Sequence, residues 1–273
     1  TLNPSSAASD VYKRQFQTSL KDRATIVYAG SNGGTLHAFN AKTGDEEWAF
    51  VPPLIAAQLP LLVNKNMDGK FGGGNKAGGT NPIFAVDGSP VVHDVFIKGL
   101  NSGGTEYETG KSWRTLLFIP YGRGGAGFSV LDVTNPDKPV HFYSIYNDKD
   151  NKKVHVLIAR TNVKSYDYGS VPSEYDYTKL GQTWSSPRIT RIPNSGAGDT
   201  VIDDDLNVAI MGGGYDDTDE AIGSNLTIVN LDNLGKINKV IPLNNITNNN
   251  ITNSAPSTPL VLTPDTVGDS NIY

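Results

Sequence analysis

Short apolar runs that alternate with polar residues, punctuated by glycine and by Asn, Asp or Thr turns, make up most of this chain. In "TIVYAGSNGGTLHAFNAKTGDEEWAFV" the alternation predicts three strands, over residues 25–31, 35–40 and 46–51, with Gly-containing turns between them. A period of two sends successive side chains to opposite sheet faces, and turns this short allow only antiparallel neighbours. The stretch reads as a meander.

The pattern returns twice. Residues 128–132 followed by "VTNPDKPVHFYSI", and "LTIVNLDNLGKINKVI" from Leu226, align with residues 36–40 followed by "AKTGDEEWAF". Asn40, Asp132 and Asn230 each close an apolar strand ahead of a turn. A second landmark, Ser89-Pro90, Ser186-Pro187 and Thr258-Pro259, opens the runs "SPVVHDVFI", "SPRITRI" and "TPLVL". The first two lead on to strands that end in glycines, "TLLFIPYGRGGAG" and "NVAIMGGGY". The order is strand, strand into glycine, strand into Asp or Asn, turn, strand, which is that of a four-stranded propeller blade. The expected fold is all-β: an incomplete β-propeller of four-stranded antiparallel blades with loop insertions. It holds the end of one blade, two full blades and the beginning of a fourth, about three to four in all. Blades usually take about 40–50 residues, and these units are longer. Insertions are expected at residues 64–81, "NSGGTEYETGK", "SYDYGSVPSEYDYTK" and "NNITNNNITNSAPS".

Composition narrows the chemistry. Charged residues are 19% of the chain, and a net charge of -5 with no basic stretch gives a phosphate backbone nothing to bind, so nucleic acid is not an expected partner. Cysteine is absent, which excludes a disulfide scaffold and a thiolate metal site. No apolar run approaches the roughly 20 residues of a membrane-spanning helix. Residues 1–15 are read as a leader foreign to the domain, adapter-derived or disordered, because "DVYKRQ" matches one reading frame of a transposon-end adapter and "PSSAAS" carries no pattern. Residues 16–273 are the partial propeller. The last residues, "GDSNIY", fall in what reads as the middle of a strand.

One loop has metal-ligand spacing. In "NKNMDGKFGGGN", Asn64, Asn66 and Asp68 alternate and Gly69 follows, with the Lys70 carbonyl next, as in the first half of an EF-hand calcium loop. Asn75 stands where a bidentate Glu is expected, so calcium affinity should be poor. The acidic runs Asp203 to Asp205 and Asp216, Asp217, Asp219, Glu220 read as solvated turns that blunt sheet edges. His37, His93, His141 and His155 lie singly in strand-like segments and read as structural. Ser89, Ser129 and Ser185 lack a nucleophile-elbow context, and no catalytic residues are assigned. Trp48, Trp113 and Trp184 fall at repeat landmarks and are expected to pack between blades.

The blocks "AGSNGGTLHAFNAKTGDEEWAFVP", "FAVDGSPVVHDVF", "WRTLLFIPYGRGGAGFSVLDVTNP", "GQTWSSPRI" and "AIMGGGYD", in this order, resemble the C-terminal β-propeller of the PilY/PilC-type type IV pilus tip and assembly proteins. The resemblance runs from about Arg23 to Tyr273. It implies a non-enzymatic bacterial protein of pilus assembly, twitching motility and surface adhesion. It further implies export to the pilus tip, cell surface or outer membrane, with minor pilins, other tip proteins and host surfaces as partners. The family's Asp-rich calcium loop would fall at "TPDTVGDSNIY", where Asp265 and Asp269 remain and Pro264, Thr266 and Ser270 break the acidic alternation. Calcium is thus the one cofactor suggested. The first block also resembles the tryptophan repeat of quinoprotein dehydrogenases, but those enzymes stack their quinone on adjacent cysteines, and no quinone is expected here. A periplasmic propeller scaffold is the other alternative.

Overall fold

The computed structural model describes residues 4–62, 84–100, 107–159, 162–192, 205–216, 219, 221–243 and 254–261. Their strands form three antiparallel meanders in chain order. The first contains β1 (Ile26–Gly30), β2 (Leu36–Asn40) and β3 (Glu46–Phe50). The second runs through β4 (Val91–Leu100), β5 (Tyr107–Pro120), β6 (Gly127–Asp132), β7 (Val140–Asp148), β8 (Lys153–Ile158) and β9 (Asn162–Asp167). The third holds β10 (Arg188–Ile192), β11 (Leu206–Gly212), β12 (Asn225–Asn230) and β13 (Lys236–Pro242). Among the described residues the sheets stack as successive blades and do not close into a ring.

The repeat seen in the sequence is a repeat of backbone geometry. Register shifts fall between Ala38 and Phe39, between Val130 and Leu131, and between Ile228 and Val229, the same step of each blade. Such a bulge increases local twist and swings the strand end outward. The polar residue that follows fixes the turn: the Asn40 side chain accepts the Lys42 N–H at 3.0 Å, and Asp132 accepts the Thr134 N–H at 2.9 Å. Asp132 also takes a 2.7 Å ion pair from Arg114.

The second sheet departs from the expected four strands. The β8–β9 hairpin extends it to six, because Asp148 caps a tight turn through the Asn151 N–H and side chain, at 3.1 and 2.8 Å, and Lys152 adopts φ 52°. The Tyr/Asp tract expected as an inserted loop therefore begins inside β9. Beyond a 3-10 turn at Ser173–Tyr175 it enters the core, where Tyr175 and Tyr177 are buried.

Alternation along β5 explains the apolar run "TLLFIPY". Leu117, Ile119 and Tyr121 face the first blade with Leu36, Ile55 and Val86, while Leu116 and Phe118 face the third with Phe128, Tyr143, Tyr177, Ala209 and Met211. A sheet covered on both faces needs apolar residues at every position. Each buried Leu or Phe contributes about 1.5–3 kcal/mol relative to exposure.

The three tryptophans have three different settings. Trp48 lies against the core between the first two blades and donates its indole N–H to the Pro136 carbonyl at 2.6 Å, a contact between blades as expected. Trp113 does not lie between blades. Its ring is 5.8 Å from Phe96 of the same sheet and 6.4 Å from Phe16 of helix α1 (Pro4–Ser19), and Lys13 lies 5.2 Å over it. Trp184 is 40% exposed, contrary to a packing role. Helix α1, which runs from the residues read as a leader (1–15) into the first four of those read as propeller, is the one α-helix among the described residues, and no described helix is long and apolar enough to cross a membrane.

Candidate functional site

The landmark prolines and glycines meet in a belt that crosses from blade to blade. Each Ser/Thr-Pro pair is preceded by a short connector; three isolated antiparallel bridges join those before Ser186-Pro187 and Thr258-Pro259 to glycine-rich strand ends, Gly122 with Thr183, Gln182 with Tyr215, and Gly214 with Ala255, and before Ser89-Pro90 the Asp87 N–H meets the Tyr121 carbonyl at 3.1 Å. Thr183 is the rivet of the middle crossing. Its N–H reaches the Gly125 carbonyl at 3.3 Å, its carbonyl accepts the Gly122 N–H at 3.1 Å, and its hydroxyl donates to the Gly127 carbonyl at 2.6 Å while accepting the Tyr121 N–H at 2.9 Å.

Glycine is required where the backbones touch. Gly122 has φ +58°, and a Cβ there would stand 2.5 Å from the Gly88 nitrogen; Gly214 has φ +96°, and its Cβ would stand 2.5 Å from the Gln182 carbonyl oxygen. Neither contact can yield by a side-chain rotation.

The residue after each of these glycines points to solvent. Arg123 follows Gly122, is exposed, and lies 4.4 Å over the Phe84 ring. Tyr215 follows Gly214 and is 43% exposed. Tyr215 is the direct cross-strand partner of Gln182, with Gln182 N–H to Tyr215 O at 2.7 Å and the return bond at 2.9 Å, so their side chains share a face. Trp184, two residues along, lies on that face and donates its indole N–H to the Gln182 side chain at 3.3 Å. Phe84, Arg123, Trp184, Gln182 and Tyr215 thus form an aromatic and cationic stripe on a rigid support. Arg, Trp and Tyr are the side chains that most often dominate protein–protein contacts.

Beside Tyr215 the acidic run is not a uniformly solvated turn. Asp216 has a fully buried side chain paired with Lys149 of the preceding blade, and it accepts the Asp219 N–H at 2.9 Å. A carboxylate this deep requires such a partner. The histidines sit in local networks. His37 contacts Ser31 at 3.2 Å and Glu46 at 3.4 Å, and His155 contacts Ser165 at 2.8 Å and Asp148 at 3.5 Å. His141 ends a buried chain through Ser144 (2.8 Å) and Ser129 (2.6 Å) to the Tyr121 hydroxyl (2.7 Å). Burial pushes the Tyr121 phenol far above its ordinary range, so this chain stays protonated inside the protein.

The connector between the second and third blades is held as firmly. The Asn147 side chain donates to the Thr178 and Leu180 carbonyls at 3.2 and 2.9 Å and accepts the Tyr168 hydroxyl, and Tyr177 donates to the Gly235 carbonyl at 2.6 Å. The calcium candidates Asn64, Asn66, Asp68, Lys70, Asp265 and Asp269 lie outside the described residues. Among the described residues no group of three or more His, Asp or Glu side chains could hold a metal ion. Arg123 and Tyr215 were not singled out in the sequence, although each directly follows a landmark glycine.

Comparison with known proteins gives a consistent result. The family model described as the PilY1 beta-propeller domain matches residues 2–241. The type IV pilus biogenesis factor PilY1 of Pseudomonas aeruginosa (strain UCBPP-PA14) is 39% identical over 122 residues, which is 45% of this chain and 9% of that protein. A PilY1 homolog of Xylella fastidiosa (strain Temecula1) is 36% identical over 121 residues, 44% of this chain and 8% of that protein. The match thus spans less than a tenth of the length of these curated relatives. The crystal structure of the Pseudomonas aeruginosa PilY1 C-terminal domain aligns with 87% of this chain and 34% of its own, with 21% identity and a TM-score of 0.48.

Proposed function

This chain belongs to the PilY1 β-propeller family, and from that membership we propose that it serves type IV pilus biogenesis as a rigid, non-catalytic binding module. Its partners are minor pilins or other pilus tip proteins, and its place is the exported surface of a bacterium, at the pilus tip, cell surface or outer membrane. The observation that supports a binding role is the belt: Trp184, Tyr215 and Arg123 are held solvent-exposed by backbone bridges between blades rather than by flexible loops. Rigid aromatic anchors lose little conformational entropy when they dock, so they contribute more of their contact energy to affinity. Roles in twitching motility and surface adhesion follow if the parent protein presents this face at the tip.

Calcium binding at residues 64–70, or at Asp265 with Asp269, is a separate proposal resting on oxygen-ligand spacing and on family resemblance respectively. Calorimetric titration should show weak calcium heat that is lost in Asp68→Ala or in the Asp265→Ala, Asp269→Ala double variant. No heat in the parent removes both loops as sites. The pilus role is tested in cells: Trp184→Ala with Tyr215→Ala in the parent protein should reduce surface piliation while export is unchanged. Wild-type piliation would count against the belt as the binding face.

A further inference from the structure

Gln182 and Thr183 form a dipeptide stitched on both sides: Thr183 bridges Gly122 of the second blade, and Gln182 bridges Tyr215 of the third. The side chains that leave the two flanking backbones are those of Arg123 and Tyr215. Adjacent strands lie about 4.8 Å apart, so these two main chains stand about 10 Å from each other, with Gln182 between them. Extended chain rises about 3.3 Å per residue, so the span equals about three residues of peptide. Both blades that build this crossing lie within the described chain, the second before it and the third after it.

The two ends of the span differ in chemistry. At one end Trp184 and Tyr215 are 40% and 43% exposed, and the Trp184 indole N–H is tethered to the Gln182 side-chain oxygen at 3.3 Å. An apolar group can lie against them without moving the backbone. At the other end stands a cation: Arg123 is exposed, and its guanidinium carbon lies 4.4 Å over the Phe84 ring. Stacking covers one face of the guanidinium and leaves the in-plane N–H donors at its rim, where a carboxylate binds as a fork.

Three other cations of the second blade are matched inside the protein. Arg114 pairs with Asp132 at 2.7 Å, Lys111 with Asp232 at 3.2 Å, and Lys149 with the buried Asp216, which therefore sets no bare negative charge beside Tyr215. Among the described residues, Asp87 included, no carboxylate pairs with Arg123. On a chain of net charge -5, an unmatched cation fixes where an acidic partner can settle. Resting on the pilus-binding reading above, we propose that the segment of the pilus protein received here is acidic. An Asp or Glu seats on Arg123, and an apolar or aromatic side chain about two or three positions away seats against Trp184 and Tyr215. The aromatic pair supplies affinity, and Arg123 selects the sequence.

The test is an array of random-sequence heptapeptides, probed with the full parent protein and with its Arg123→Gln and Arg123→Lys variants, each checked for an unchanged melting temperature. The three proteins differ at one position, so only peptides whose signal changes report this site. A set of peptides should bind the parent at least about tenfold more strongly than Arg123→Gln, and carry Asp or Glu near an apolar or aromatic residue. Arg123→Lys keeps the charge but loses the planar fork, and should recover only part of the signal. The strongest peptide should also displace purified minor pilins from the parent. No peptide that distinguishes the parent from Arg123→Gln, or a distinguishing set without acidic residues, overturns the proposal whatever the pilins do. Peptides that need Arg123 yet leave bound pilins in place overturn its assignment to the pilus partner. Minor pilins that do not bind the parent at all count against the pilus reading alone, because the array still decides the acidic specificity.

Discussion

The Thr183 hydroxyl donates to the Gly127 carbonyl at 2.6 Å and accepts the Tyr121 N–H at 2.9 Å, so one buried side chain satisfies two peptide groups of the neighbouring blade. Replacing it by valine keeps the shape and removes both bonds, leaving the two groups only their 3.2 Å bond to each other. A buried hydrogen bond contributes a net of about 0.5–1.5 kcal/mol. Thr183→Val should lower the urea midpoint clearly with the slope of unfolding unchanged, whereas Thr43→Val in an exposed turn should change it little.

Close backbone approach predicts a second contrast. Gly122→Ala must place a Cβ 2.5 Å from the Gly88 nitrogen in a left-handed conformation, while Gly44→Ala is left-handed with nothing within 4 Å. Left-handed strain alone costs about 1–2 kcal/mol. Gly44→Ala should lose that much, and Gly122→Ala measurably more, in parallel denaturant titrations.

Alkaline pH should loosen the seam between blades. Burial, reinforced by the nearby Asp148 and Asp150 charges, pushes the Tyr146 phenol up to about 12, and burial with Tyr166 and Glu174 does the same for Tyr175. A phenol whose folded value lies above its unfolded value of about 10 stabilises the fold fully below pH 10. That contribution is lost as pH rises from 10 through 12. Unfolding midpoints should therefore fall over this window, and fall less steeply in Tyr146→Phe.

The buried Tyr177 hydroxyl bonds the Gly235 carbonyl at 2.6 Å across the seam between the second and third blades. Tyr177→Phe keeps the ring and should cost about 1 kcal/mol. Tyr177→Ala removes a fully buried ring and should cost about 3–5 kcal/mol, read by thermal unfolding.

Most strands were legible because a period of two and glycine turns act locally. Residues 25–31, 35–40 and 46–51 of the sequence reading fall on β1, β2 and β3. The β9 strand was missed because "NVKSYD" is polar and aromatic, with pairing to β8 supplying what composition does not. Trp184 and Trp48 look alike in sequence, yet Trp48 packs against the core between blades while Trp184 is 40% exposed. Asp216 could not be told from Asp219 by composition, since its burial depends on Lys149 of another blade. The belt residues Arg123 and Tyr215 became visible only when the bridges aligned the two glycine ends.

On the function proposed above, the exposed belt aromatics Trp184 and Tyr215 are the anchors that bind pilus proteins. Surface substitutions of this kind change stability by no more than about 0.5 kcal/mol, while truncating an interface anchor costs about 2 kcal/mol or more, roughly 30-fold in affinity. The direct measurement is a binding titration of purified minor pilins against the parent protein and its Trp184→Ala, Tyr215→Ala double variant, with melting temperatures recorded alongside. The account predicts at least about 30-fold weaker binding at an unchanged melting temperature. Equal affinity of parent and variant for the same pilins would contradict it.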